Sequence, residues 1–105
     1  MATDIRTEVR AAASRHILFL PHAVRQMSRP DRMITAPEVE HVVRTGDLVE
    51  DYPEDIRGHG CLLLGFGDTG RPVHVVCAPK KDYLAIITAY IADPSQWSGD
   101  FKRRI

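Results

Sequence analysis

The sequence predicts an α+β domain: a first strand and two helices, then a four-stranded antiparallel meander with the helices on one sheet face. Two observations predict it. Apolar residues recur at helical spacing before Gly46 and at every second position after it. The second half is also cut into short apolar runs by turns too brief to hold a helical crossover. The 105 residues suffice for one domain and not two. With 44% hydrophobic and 27% charged residues, the chain can bury a core, which excludes a wholly disordered protein. Its apolar runs, such as Cys61 to Leu64, fall far short of the roughly 20 residues of a membrane span.

Residues 1–15 read as an N-terminal helical extension, with a short helix over 3–15 where Ile5 and Val9 lie four apart and alanines stand at 11–13. The single α+β domain then occupies 16–105. His16 to Leu20 is a compact apolar strand. Pro21 suits a first helical turn, and Pro30 ends the helix predicted over 21–29. On that helix His22, Arg25 and Arg29 share one face. Thr35 and Glu38 form a capping box for a helix whose apolar stripe is Val39, Val42 and Val43. Gly46 is expected to end it in the left-handed conformation. Strands follow at 48–52, 61–67, 72–78 and 83–91, and the tail from Gln96 reads as a helix.

A four-residue turn at 68–71 would pair Gly67 with Pro72. Leu62, Leu64, Phe66, Val73, Val75 and Cys77 would then face the helices. Cys61 would lie opposite in sense to Cys77, which makes a disulfide geometrically poor. Pairing Ala78 with Leu84 places His74, Thr88 and Tyr90 together on the second face. That face also carries Leu63, Val76 and Ile86, so the C-terminal tail or a partner could cover it. His74 would then be a satisfied histidine at a core margin.

The 14 basic and 14 acidic residues cancel. Their distribution does not: the balance is +3 over residues 1–34, −5 over 35–60 and +2 over 61–105. Such segregation builds a local basic patch unless folding mixes the segments. The opening Met1–Arg6 is polar and mixed in charge, without the apolar stretch of an export signal, so a cytoplasmic place and free thiols are expected. The five histidines are scattered and no Gly-rich phosphate loop is present, so neither a metal nor another cofactor is expected.

Several segments carry a resemblance. They are His22-Ala23 with Met27, Arg32-Met33-Ile34-Thr35, Glu50-Asp51-Tyr52-Pro53, Arg71-Pro72-Val73-His74-Val75-Val76 and Ile86-Ile87-Thr88-Ala89-Tyr90. In order and combination, over about residues 16–105, they resemble the domain of unknown function 4258 family. That family looks related to the RelE-like toxins. The resemblance implies a RelE-like fold, a toxin-like endoribonuclease of a toxin–antitoxin pair, and a small antitoxin protein as partner. RNA, free or on the ribosome, would be the substrate, with no DNA bound by the protein itself and no membrane. Gln26 stands where many members carry Arg, and the neutral charge departs from the basic character of ribosome-directed relatives.

Cleavage of RNA by its own 2′-OH needs a base, an acid and cations for the crowded phosphate. His22 and His74 could serve as base or acid, with Tyr90 stacking on a base or positioning the phosphate and Thr88 donating a hydrogen bond. Arg25, Arg32 and Arg71 would bind phosphate. Each has a plainer role open to it. His22 could cap its helix, the arginines could form a solvated face, Tyr90 could pack at a sheet edge, and Trp97 reads more naturally as an anchor of the tail than as a base reader. The alternative function is a non-catalytic module whose open sheet face binds a protein or RNA partner.

Overall fold

The structure, a computed structural model, describes residues 4–105. The expected helix start at Thr3 and the first residues of the opening segment lie outside them. Helix α1 spans Ile5–Arg15, strand β1 Ile17–Phe19, helix α2 Pro21–Met27 and helix α3 Ala36–Thr45. Strands β2 (Asp47–Tyr52), β3 (Gly60–Phe66), β4 (Pro72–Pro79) and β5 (Leu84–Ile91) follow. β2 to β5 form the antiparallel meander. β1 adds to it in parallel alongside β5, giving a five-stranded sheet of order β1-β5-β4-β3-β2.

Local chemistry sets the helix ends. Asp4 caps α1 by accepting from the Thr7 N–H at 3.0 Å. Thr35 and Glu38 close the expected capping box on α3. α2 stops at Met27, two residues short of the expected end, and Ile34 N–H returns to the Met27 carbonyl at 2.9 Å. Gly46 is not left-handed, with φ −70° and ψ 162°. It is required by contact instead: a Cβ there would lie 2.5 Å from the Val42 carbonyl oxygen and 2.7 Å from that of Leu64. The end of α3 is closed from outside, because Arg6 donates to the Gly46 carbonyl and Arg10 to the Arg44 carbonyl, both at 3.1 Å.

The three helices cover one sheet face. Ile5, Val9 and Ala12 of α1, Ala23 and Met27 of α2, and Val39, Val42 and Val43 of α3 bury against Cys61, Leu63, Val73, Val75, Cys77 and Ile86. This corrects the β3 register by one residue. Phe66, not Gly67, pairs with Pro72, because the connection holds five residues and Gly67 N–H bonds the Arg71 carbonyl. Thr69 (φ 60°) and Gly70 (φ 75°) both turn left-handed to accommodate the extra residue. A one-residue slip turns every β3 side chain over. Leu62 and Leu64 leave the helix side, Phe66 is 53% exposed, and Gly65 slides beneath Val42. Cys61 and Cys77 now share a face and pair directly across the strands as free thiols.

The β4–β5 pairing differs by two residues over most of its length, which preserves parity. Tyr90 stands opposite His74 and Thr88 opposite Val76. A bulge at Ile87 then shifts the pairing by one residue, so Ile86, expected on the second face, lies instead on the helix side, where it pairs with Cys77.

The second face is closed by the tail. Residues 92–105 are not helical; they fold back through turns and a bridge between Trp97 and Arg104. Trp97 and Ala92 bury against Leu62, with Phe101, Val76, Val49 and Tyr52 around them. No helix among the described residues is long and apolar enough to cross a membrane.

Candidate functional site

Adjacent strands bring His74 and Tyr90 side by side, and the tail lies over them. His74 is fully buried. Its Nε2 lies 2.9 Å from the Phe101 carbonyl and its Nδ1 3.2 Å from the Tyr90 hydroxyl. A carbonyl only accepts, so Nε2 carries the proton and Nδ1 accepts from Tyr90. Trp97 stands edge-on to the imidazole at 4.5 Å between ring centroids. Burial lowers the His74 pKa, against the opposing pull of the Phe101 hydrogen bond and the nearby Glu50 carboxylate. Burial likewise raises the Tyr90 phenol. Both shifts keep the proton on the tyrosine and the imidazole neutral.

The tail is pinned from behind. Arg104 reaches both oxygens of Glu50 at 2.8 and 3.0 Å, and its guanidinium lies 4.7 Å from the centre of the Trp97 ring. Tyr52 donates to the same carboxylate. Arg104, foremost, lowers the Glu50 pKa. His74, Trp97, Arg104, Glu50 and Tyr52 thus form one continuous arrangement joining β2, β4 and the tail.

Outside this closed face is an open cleft of about 380 Å³, lined by Gln26, Arg32, Tyr90, Asp93, Gln96 and Trp97 among others. Of the residues singled out in the sequence, it unites Tyr90 and Arg32. Both Gln26 and Arg32 are partly exposed in its wall, and neither the Arg32 guanidinium nor the Gln26 amide has a protein partner among the described residues. Asp93 is partly engaged, accepting from Ser95 N–H at 2.8 Å.

The other sequence candidates fall elsewhere. His74 sits behind Tyr90 rather than in the cleft wall. Thr88 shares its sheet face, half-buried opposite Val76. His22 and Arg25 are exposed on α2 and do not line the cleft. Arg71 is engaged in structure. Its Nε and Nη2 donate to the two oxygens of Glu38 at 3.1 and 2.7 Å, and its remaining donors reach the Arg32 and Met33 carbonyls. Glu38 also accepts from the Thr35 and Asp68 backbone N–H groups. These bonds, led by Arg71, hold the Glu38 pKa down at about 2. Among the described residues no three His, Cys, Asp or Glu side chains converge as metal ligands.

Sequence reasoning named Gln26 only as a departure, favoured Trp97 as an anchor over a base reader, and passed over Asp93 and Gln96. Their meeting is long-range, between the α2 end and the tail, and only the tail's apolar spacing at Trp97 and Phe101 hinted at it.

Residues 19–91 match the family described as Domain of unknown function (DUF4258). The chain belongs to this family. No curated protein and no solved structure matches it. The matched span carries α2, α3, the meander and Tyr90, whereas α1 and the tail lie outside it. In this DUF4258 chain, residues from the matched span and from beyond it therefore meet in one cleft.

Proposed function

We propose that the protein binds a short single-stranded RNA in the Arg32–Tyr90 cleft without cutting it. The observation that carries this reading is the composition of the cleft wall. An unpaired guanidinium suits a phosphate, an aromatic ring suits a base, and the Gln26 amide suits a base edge. Against cleavage by this protein stands His74, buried with both ring nitrogens engaged. The test is fluorescence anisotropy with a labelled single-stranded RNA of about eight nucleotides, within the span of one small binding domain. Loss of a stacked base costs about 1–3 kcal/mol, so Tyr90→Ala should weaken binding roughly five- to 150-fold. Absence of binding by the parent protein overturns the reading.

A second reading keeps the toxin-like endoribonuclease of a RelE-like fold, in the cytoplasm with a small antitoxin as partner. Helices on one sheet face and the His74–Tyr90 hydrogen bond support it. Tyr90 would take a 2′-OH proton while passing its own to His74 Nδ1. RNA cleavage that disappears in His74→Ala, at equal soluble protein, would favour this reading over binding alone.

A further inference from the structure

A second cleft, of about 520 Å³, opens between α1 and the turn joining β4 to β5. Its wall includes Arg15, Lys80 and Lys81, with Thr7, Glu8 and Ala11 along the helix. Two chain segments more than 60 residues apart thus set three cations around one depression, with a single acid, Glu8, in its wall.

Six other basic residues pair with acids within 4.0 Å: Arg29, Arg44, Arg57, Arg71, Lys102 and Arg104. Arg15, Lys80 and Lys81 have no such acid among the described residues. The Asp55 carboxylate acts on Lys80 across the loop, whereas Arg15 and Lys81 face the cleft without an acid within 4.0 Å, and an anionic ligand would supply the counter-charge.

The cleft is also prepared. Lys80 donates to the Arg57 carbonyl, which holds its ammonium in place and leaves further N–H donors. Gly58 lies beneath it with φ 101°, where an added Cβ would come 2.7 Å from the ammonium nitrogen. Arg15 ends α1, where the helix dipole favours a cation. Ala11, one turn earlier, leaves the wall low.

We propose that this cleft binds the phosphodiester backbone of an RNA strand, whose phosphate oxygens accept from Arg15, Lys80 and Lys81. That the strand is RNA rests on the function proposed above; the placement of the phosphates rests on this cleft alone.

Two measurements on the full chain test it, using the same single-stranded RNA. The first is amide NMR titration of the parent protein. Shifts are expected at Arg15, Lys80 and Lys81. The second is the salt dependence of affinity for the parent and for the double variant Arg15→Gln, Lys81→Gln, whose changed side chains are exposed. Each lost phosphate contact on a single strand removes about 0.7 from the slope of log K against log salt, so the slope should fall by roughly 1.4. Shifts confined to the Tyr90 cleft, with an unchanged slope, overturn the phosphate site and leave the RNA reading standing. Shifts at Arg15 and Lys81 with Tyr90 silent uphold the phosphate site and sink the Tyr90 cleft. No shifts anywhere overturn both.

Discussion

Cys61 and Cys77 stand directly opposite each other on β3 and β4, with their Sγ atoms 4.0 Å apart. Both thiols are free and fully buried on the helix side of the sheet. The Cys61 contact, with burial, pushes the Cys77 thiol well up from its ordinary pKa. The thiolate is the reactive form, so both conditions slow modification. Thiol titration without prior reduction should find two reactive groups in denaturant. Without denaturant, reaction should proceed at the rate of opening. Immediate reaction of both thiols in the folded protein would contradict their burial.

The β3 register can be read from stability. Leu64 is buried on the tail side, whereas Phe66 is half in solvent. Leu64→Ala should cost about 2–5 kcal/mol, and Phe66→Ala about 1 kcal/mol or less. Gly65→Ala should cost roughly 1–3 kcal/mol, because its Cβ would lie 2.7 Å from Val42 Cγ2. Denaturant unfolding of the three variants checks the order. A Phe66→Ala loss exceeding that of Leu64→Ala would restore the other register.

Glu38 makes stability fall in acid. Its folded pKa is about 2 against an ordinary 4.5, so its contribution is complete above pH 4.5 and is lost as pH falls towards 2. A shift of that size on a carboxylate with 2% side-chain exposure corresponds to about 3 kcal/mol. Urea unfolding at stepped pH should show this decline in the parent and a flatter profile in Glu38→Gln. Identical profiles would mean that Arg71 does not hold the carboxylate.

His74 contributes at higher pH. Its folded pKa lies below the ordinary 6.5, so the unfolded chain takes up the proton first. Its contribution is full above pH 6.5 and fades as pH falls through the folded value. Nitrogen-15 shifts should report a neutral ring protonated at Nε2 about one pH unit above the ordinary histidine value. A charged ring there, or a proton on Nδ1, would contradict the Phe101 and Tyr90 hydrogen bonds.

Residues that act on near neighbours were legible in the sequence. Thr35 and Glu38 meet within one helical turn, so their spacing announced the capping box. His74, Thr88 and Tyr90 share a face because a two-residue difference in pairing leaves alternation intact. The β3 register was not legible, because Thr69 takes a left-handed conformation that its residue type does not signal. The bulge at Ile87 is equally silent in a run of apolar residues. Arg71 looked free for phosphate because its partner Glu38 lies 33 positions away and already has a local role. The closure over His74 depended on where a carbonyl at Phe101 would come to rest, which no local pattern records.

The family match begins inside β1 and ends with β5. Burial observes neither boundary. On one flank, Arg6 and Arg10 finish the hydrogen bonding of α3, and Val9 is wholly enclosed. On the other, Trp97 and Phe101 shield Leu62 and His74. A fragment trimmed to the region of likeness would uncover apolar surface beneath α1 and beneath the tail, and would leave the α3 end with unanswered carbonyls. What kinship delimits here is an inner slab, packed on both sides by residues that lie outside it.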